Sequence, residues 1–271
     1  MTEPPPGQPP YNPPPPGYGP PPGYGPPPPG YYPPPPGYYG PPRFEVGQAF
    51  GWAWAKFKAN TATLLTGGVI MLLATIAMYA VAIAVVFAVV PHPTLTLTDS
   101  DTGELDGVGR YFATLGVSYG VFFLLSIPFA VVSAGLIRTG LRIADGESPG
   151  VGALFSYRNA PRIMLTSLII SVVTLIGLIL CYVPGLAFGL FAGFTLYFVV
   201  DQRQGPIAAI KSSFAVVKAN FSNALVATLL AGLVATGGVI ACFVGMIFTV
   251  PFAMLVHVYT YRFLSGGTVA P

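Results

Sequence analysis

The chain has 271 residues, of which 53% are hydrophobic and 8% charged, with a formal net charge of +3. Soluble domains carry roughly 25% charged residues, so this composition excludes an ordinary water-soluble domain and indicates a membrane protein. A balance of +3 in such a chain is read as a membrane-orientation device rather than as a nucleic-acid footprint.

Residues 1–42 hold 22 of the 31 prolines and one charge, Glu3. "PPPPGYG", "PPPGYG", "PPPPGYY" and "PPPPGYYG" follow one another without an apolar run. Such a segment cannot bury a core and has no hydrophobic region of a signal peptide; the expected state is an extended tail with polyproline II character. Tyr18, Tyr24, Tyr31 and Tyr38 recur between Pro-Gly turns, and the "PPGY" ending at Tyr18 has the form that WW-type domains accept. Two readings stand: a solvated spacer, or a recruiting segment whose tyrosines act as weak multivalent stickers.

Residues 43–266 are expected to form an all-α polytopic bundle of about six transmembrane helices in three hairpins. The spans are placed at about 61–90, 111–137, 163–183, 186–200, 224–245 and 246–264, with 267–271 as a short C-terminal tail. The fourth span, at the short limit, either crosses with little tilt or is re-entrant. Eleven of the twelve Lys and Arg fall on one side of this arrangement, and the loop "HPTLTLTDSDTGELDG" on the other is acidic. Basic loops stay inside, so both termini are expected in the cytoplasm.

"KFKAN" at 56–60 and "VVKAN" at 216–220 stand before spans one and five. At an offset of 160, Phe50, Trp54 and Phe57 fall on Ile210, Phe214 and Val217, while Lys58 and Asn60 fall on Lys218 and Asn220. The i, i+4, i+7 spacing predicts an amphipathic helix lying in the interface, with its apolar face in lipid and its lysines at the headgroups. Each Asn then marks the turn upward, either in the left-handed position or as the cap of the next helix. "GVGALFSYRNAPR" offers a weaker middle copy, so the chain reads as three units of interfacial helix plus hairpin.

Small residues at four-residue spacing are expected to let the helices meet: Gly185, Gly189 and Gly193 in span four, and Gly237, Ala241 and Gly245 in span five. Pro128 is expected to kink span two, and Pro184-Gly185 to form the turn of the second hairpin. Ser167, Ser171 and Thr174 read as interhelical hydrogen bonding. Cys181 and Cys242 fall near the same predicted depth, which leaves both a disulfide and two free thiols open. His257 reads as a polar contact near the inner interface.

No Asp, Glu or Lys lies within a predicted span, and no nucleophile-base pair, metal-ligand cluster or phosphate-cradling loop appears. No enzyme activity, cofactor or metal is therefore expected.

"VVDQRQGPIAAIKSSFAVVKANF" at 199–221, with Asp201, Gly205, Pro206, Ser213, Lys218 and Asn220, resembles the loop of a widespread family of bacterial polytopic membrane proteins. That family is similar to the membrane domain fused to some glycerophosphoryl diester phosphodiesterases, and the tail resembles actinobacterial proline- and glycine-rich transmembrane proteins. The resemblance implies a fold and a plasma-membrane address. It implies no phosphodiesterase activity, since no such domain is present, and it carries over no catalytic residue. The expected function is a non-enzymatic scaffold or accessory factor of the cell envelope, with membrane lipids and proteins recruited by the tail as partners. The alternative is a transporter of lipid or another hydrophobic small molecule.

Overall fold

The structure, a computed structural model, describes residues 44–89, 103–155, 159–180, 182–240 and 243–271. The tail with Tyr18, Tyr24, Tyr31 and Tyr38, the acidic loop and its His92, and both Cys181 and Cys242 lie outside the described residues. Among those described there is no strand. The helices are α1 (Val46–Ala59), α2 (Thr61–Val89), α3 (Gly103–Ala144), α4 (Ala160–Leu180), α5 (Tyr182–Phe191), α6 (Thr195–Asp201), α7 (Pro206–Ala219), α8 (Phe221–Ile240) and α9 (Met246–Leu264), with a 3-10 turn, η1, at Val151–Phe155. Six segments are long and apolar enough to cross a membrane: α2, the Tyr111–Ala144 part of α3, α4, the α5–α6 pair over Val183–Asp201, α8 and α9. The chain is a multi-pass membrane protein.

Three expectations need correction. The second span does not end at 137: α3 runs on to Ala144, and its last two turns, with Leu141, Ile143 and Ala144, are buried. The fourth span is not one rod but two helices broken at 192–194. Pro184 and Gly185 are not the hairpin turn, since both sit in the first turn of α5, where proline costs no helical hydrogen bond.

The break between α5 and α6 is held from outside. The Ser213 hydroxyl of α7, fully buried, donates to the Phe191 carbonyl at 2.7 Å and accepts from the Phe194 amide at 3.2 Å. Backbone groups freed inside an apolar layer need such partners, and one hydroxyl here serves both a donor and an acceptor.

Burial sorts the six crossing segments into two classes. The helix that closes each hairpin is inner: the second half of α3, then α6, then α9 carry most of the fully buried side chains, among them Thr139, Ile143, Phe194, Val199, Leu255, Val258 and Tyr261. The helix that opens each hairpin is outer: α2, α4 and α8 expose Leu73, Ile76, Ile176, Leu229 and Leu233. An exposed leucine on such a helix faces lipid and needs no partner.

Around this core the three units follow one another in a ring. The outer helix α2 packs on α9 as well as on its own α3, and α4 packs on α3 as well as on its own α5. The segment that introduces each unit docks on the inner helix of the unit before it: α1 on α9, η1 on α3, and α7 on α6. A chain that hands each lead-in to its neighbour closes α1 back onto the last helix, so the first and third units are joined although far apart in sequence.

Candidate functional site: a charged clasp beside two apolar recesses

The inner helices end together in a charged cluster. Asp145 follows α3, Asp201 is the last residue of α6, and Arg262 lies in the last turn of α9. Arg262 Nη2 donates to Asp145 Oδ1 at 2.8 Å and lies 3.1 Å from Asp201 Oδ1. The Tyr261 hydroxyl donates to Asp201 Oδ2 at 2.8 Å and accepts from Gln202 Nε2 at 3.2 Å. Arg262 and Asp201 are 17% and 19% exposed, so this pair is screened far less than the Arg142–Glu147 pair nearby, whose side chains are 45% and 50% exposed. Three equivalent chain ends bearing one sign of charge would repel; one guanidinium between two carboxylates ties them.

Equivalence here is a matter of register. The offset of 61 that relates Asn159 to Asn220 also relates Asp201 to Arg262 and Phe191 to Phe252. Ten residues before Asp145, Asp201 and Arg262 stand Gly135, Phe191 and Phe252, and these three positions receive the lead-ins. Phe252 lies with its ring 5.8, 6.3 and 6.4 Å from those of Phe50, Trp54 and Phe57. Phe191 lies 5.2 Å from Phe214, which also meets Phe188 at 5.6 Å. Gly135 meets no ring: a Cβ there would stand 2.1 Å from the carbonyl oxygen of Leu154 in η1.

The two helical lead-ins keep their offset of 160 in three dimensions. Ala49, Ala53 and Phe57 are the buried face of α1, and Ala209, Ser213 and Val217 that of α7. Asn60 Nδ2 donates to the Lys56 carbonyl at 3.0 Å, and Asn220 Nδ2 to the Val216 carbonyl at 3.2 Å. Their carbonyls accept from Leu64 and Ala224, and the Asn159 carbonyl accepts from Ile163 in the same way. Each asparagine thus closes one helix and opens the next at φ near −125° or −129°, not in the left-handed position. Phe57 is only 6% exposed and faces protein rather than lipid, whereas Trp54 is 55% exposed. Ile210 is half-buried, and Lys58 and Lys218 are exposed. The middle lead-in is not an amphipathic helix but the five-residue η1.

The far flank of α1 is stitched to the end of the chain. Trp52 Nε1 donates to the Ala270 carbonyl at 2.8 Å, Lys56 Nζ donates to the Pro271 carbonyl, and the Ala270 amide donates to the Ala144 carbonyl at 2.7 Å. The short C-terminal tail at 267–271 therefore ties α1 to the end of α3. Gly146 and Gly266, at φ +85° and +76°, turn the chain out of α3 and α9, a conformation that glycine adopts without strain.

Two recesses adjoin this framework. One, of about 420 Å³, lies between α1, the start of α2, α8 and α9 and is lined by Trp54, Phe57, Lys58, Val234, Phe248 and Phe252, with Thr61 and Thr249. The other, of about 240 Å³, lies among α2, α3, α6, α8 and α9; Tyr197 and His257 border it beside Met71, Leu136, Ala231 and Met254. His257 stands with its ring 6.1 Å from Phe194 and 6.4 Å from Tyr197, so its neighbours are aromatic rings rather than the charged cluster. Among the described residues no group of His, Cys, Asp and Glu could hold a metal ion.

Of the glycines expected to bring helices together, Gly185 does so, since a Cβ there would stand 2.7 Å from Leu178 of α4. Gly189 and Gly237 face open space, Gly193 meets only its own preceding turn, and Ala241 lies outside the described residues. Gly245 precedes α9 and stands 2.9 Å from where a Cβ on Gly238 would be. The closest approaches fall elsewhere, at Gly68 against the Ile247 carbonyl, at Gly238 against the Thr249 hydroxyl, and at Gly135 and Gly140 in α3. Ser126 and Ser171 share a hydrogen bond of 3.0 Å between α3 and α4, which is what the serine stripe of α4 does.

No protein-family profile matches the chain, and no solved structure matches it. The similarity to the membrane domain of glycerophosphoryl diester phosphodiesterases is accordingly not shown. Among curated proteins the chain is 38% identical over 236 residues to "Uncharacterized protein Rv2560" of Mycobacterium tuberculosis, covering 83% of this chain and 70% of that protein. It belongs to the Rv2560 family. A second member, "Uncharacterized protein Mb2590" of Mycobacterium bovis, is 37% identical over the same length with the same coverage. The actinobacterial part of the resemblance thus stands on similarity over 83% of this chain, and the membrane bundle described above is the structure of a member of this family.

Proposed function

We propose that this member of the Rv2560 family is a non-enzymatic platform of the plasma membrane, with both termini in the cytoplasm, that holds its proline- and tyrosine-rich segment at the membrane surface for envelope partners. The observation that carries this reading is the clasp: Arg262 joins the ends of all three inner helices through Asp145 and Asp201. Separating those ends would leave charges unpaired in a partly buried site, so the bundle is suited to hold a position rather than to rock between two states. Among the described residues the membrane-length helices carry no acid deeper than Asp201 at the end of α6, which leaves a proton-coupled cycle without its usual groups. The repeated tyrosines supply the recruiting element.

Proximity labelling from the N-terminus tests the reading. A defined set of envelope proteins should be labelled by the full chain and lost when residues 1–42 are deleted; an unchanged set after the deletion would end it.

The recess bordered by Tyr197 and His257 favours a second reading, transport of a lipid or hydrophobic small molecule. In proteoliposomes the platform reading expects no protein-dependent movement of labelled lipid, and sustained movement abolished by filling the recess with Ala231→Phe would establish the second.

A further inference from the structure

The 420 Å³ recess lies within the range of about 300–1,000 Å³ that ligand sites occupy, and no described residue fills it. Its walls are the exposed faces of Trp54, Phe248 and Phe252 with Val234, and Lys58 stands at its rim. Lys58 sits with Nζ 5.8 Å from the centre of the Trp54 ring and forms no ion pair among the described residues, and the acids with described side chains, Glu45, Asp145, Glu147 and Asp201, do not line the recess. The ammonium is therefore a positive charge held over an aromatic ring, with no counter-charge among the described residues.

We propose that this recess is a binding site for one anionic phospholipid, with an acyl chain against Phe248, Phe252 and Val234 and the headgroup phosphate on Lys58. The chemistry matches at both ends: an apolar wall excludes a charged or hydrated occupant, and the single cation selects a negative headgroup over a zwitterionic one. The second helical lead-in supplies an internal contrast. Lys218 holds the same register in α7, but Phe214, the counterpart of Trp54, is half-buried against Phe188 and Phe191, whereas Trp54 is exposed. Among the described residues the first unit thus joins such a cation to an open apolar recess. The proposal goes beyond a platform role and does not depend on it, because retention of a lipid is measured on the isolated protein.

The test is native mass spectrometry of the full chain in mild detergent, with dioleoyl phosphatidylglycerol and dioleoyl phosphatidylcholine added in turn. One phosphatidylglycerol should be retained in preference to phosphatidylcholine. Lys58→Gln should weaken that preference by about fivefold, the scale of one lysine near an anionic surface. Lys58→Arg and Lys218→Gln should preserve it, and Val234→Trp, which fills the recess and keeps the charge, should lower retention of both lipids. Equal retention of the two lipids by the unaltered protein, a Lys58→Gln protein whose preference for phosphatidylglycerol is undiminished, or an equal loss in Lys218→Gln would each overturn the assignment. Lys58→Arg keeps the question decidable should the glutamine variant fail to fold, since a site defined by charge requires its preference to survive.

Discussion

Where α1 meets α9, the ring of Phe252 reaches outward and is surrounded by Phe50, Trp54 and Phe57; where η1 meets α3, Gly135 withdraws and the carbonyl of Leu154 comes within 2.1 Å of where a Cβ would stand. Both contacts lie ten residues before a clasp residue, and both seat a lead-in on the inner helix of the preceding unit. A 14-residue helix presents side chains at a distance that an aromatic ring can bridge, whereas a five-residue 3-10 turn has too few side chains and must bring its backbone in. The same position in the repeat thus demands the largest kind of residue or the smallest, according to the length of what docks on it. Sequence similarity among the units fades at the contacts for that reason.

The largest expected effect comes from the clasp that all three units share. Arg262→Ala leaves the partly buried Asp201 unpaired beside the half-exposed Asp145 and should cost about 3 kcal/mol, the low end for breaking a buried pair, read as a large fall in the thermal midpoint of the detergent-solubilised protein. Adding Asp145→Asn and Asp201→Asn to the same chain should recover part of the loss, because the repulsion is then gone. Arg142→Ala, at an exposed pair, should cost less than about 1 kcal/mol. Equal effects of the two arginines would remove the distinction between clasp and surface pair.

The docking contrast itself is tested next. Gly135→Ala forces a methyl group against the Leu154 carbonyl and should cost about 2–3 kcal/mol, while Gly116→Ala in the same helix, with nothing within 4 Å of its Cβ position, should cost nothing. At the opposite pole of the comparison, Phe252→Ala removes a half-buried ring from three aromatic partners and should cost about 2 kcal/mol, somewhat below the value for a fully buried phenylalanine. Limited proteolysis should then show α1 released in Phe252→Ala while the η1 region stays protected, and the reverse in Gly135→Ala. If both variants release both segments, the lead-ins do not dock independently.

Much of this was legible in the sequence, and the limits have physical causes. Composition and run length revealed the six spans because the bilayer fixes the length of an apolar helix. The offset of 160 between α1 and α7 was visible because Lys58, Asn60 and their counterparts do the same local work: a side chain that closes one helix and a carbonyl that opens the next. The break in the fourth span was not visible, because what stabilises it is Ser213, a residue 19 positions beyond Phe194. The clasp was missed for a similar reason. Asp145, Asp201 and Arg262 read singly as loop charges, and only their equal distance from Gly135, Phe191 and Phe252 marks them as one set. The helix-packing glycines were read from spacing alone, which finds small residues but not which way they face; Gly189 and Gly237 share the spacing of Gly185 and touch nothing.

That last difference gives the smallest effect and the finest test of the architecture. Gly185 stands against Leu178, whose side chain and backbone nitrogen would lie 2.7 and 2.8 Å from an added Cβ, so Gly185→Ala forces α4 and α5 apart and should lower the thermal midpoint, at a cost of about 1–3 kcal/mol. Gly189, one turn further along α5 and open to its surroundings, should behave in the opposite sense. Alanine in a helix interior is favoured over glycine by up to about 1 kcal/mol, so Gly189→Ala and Gly237→Ala should leave stability unchanged or raise it. The sign separates two roles for the outward small residues. If they face lipid, both substitutions are neutral or stabilising and the mass of the detergent-solubilised particle stays the same; if they pack against a second copy of the chain, the particle's mass falls while the fold of each chain survives. The open space at both positions predicts the first outcome, with close helix contact falling instead at glycines such as Gly185, Gly135 and Gly140, where an added Cβ would meet a neighbouring helix or turn.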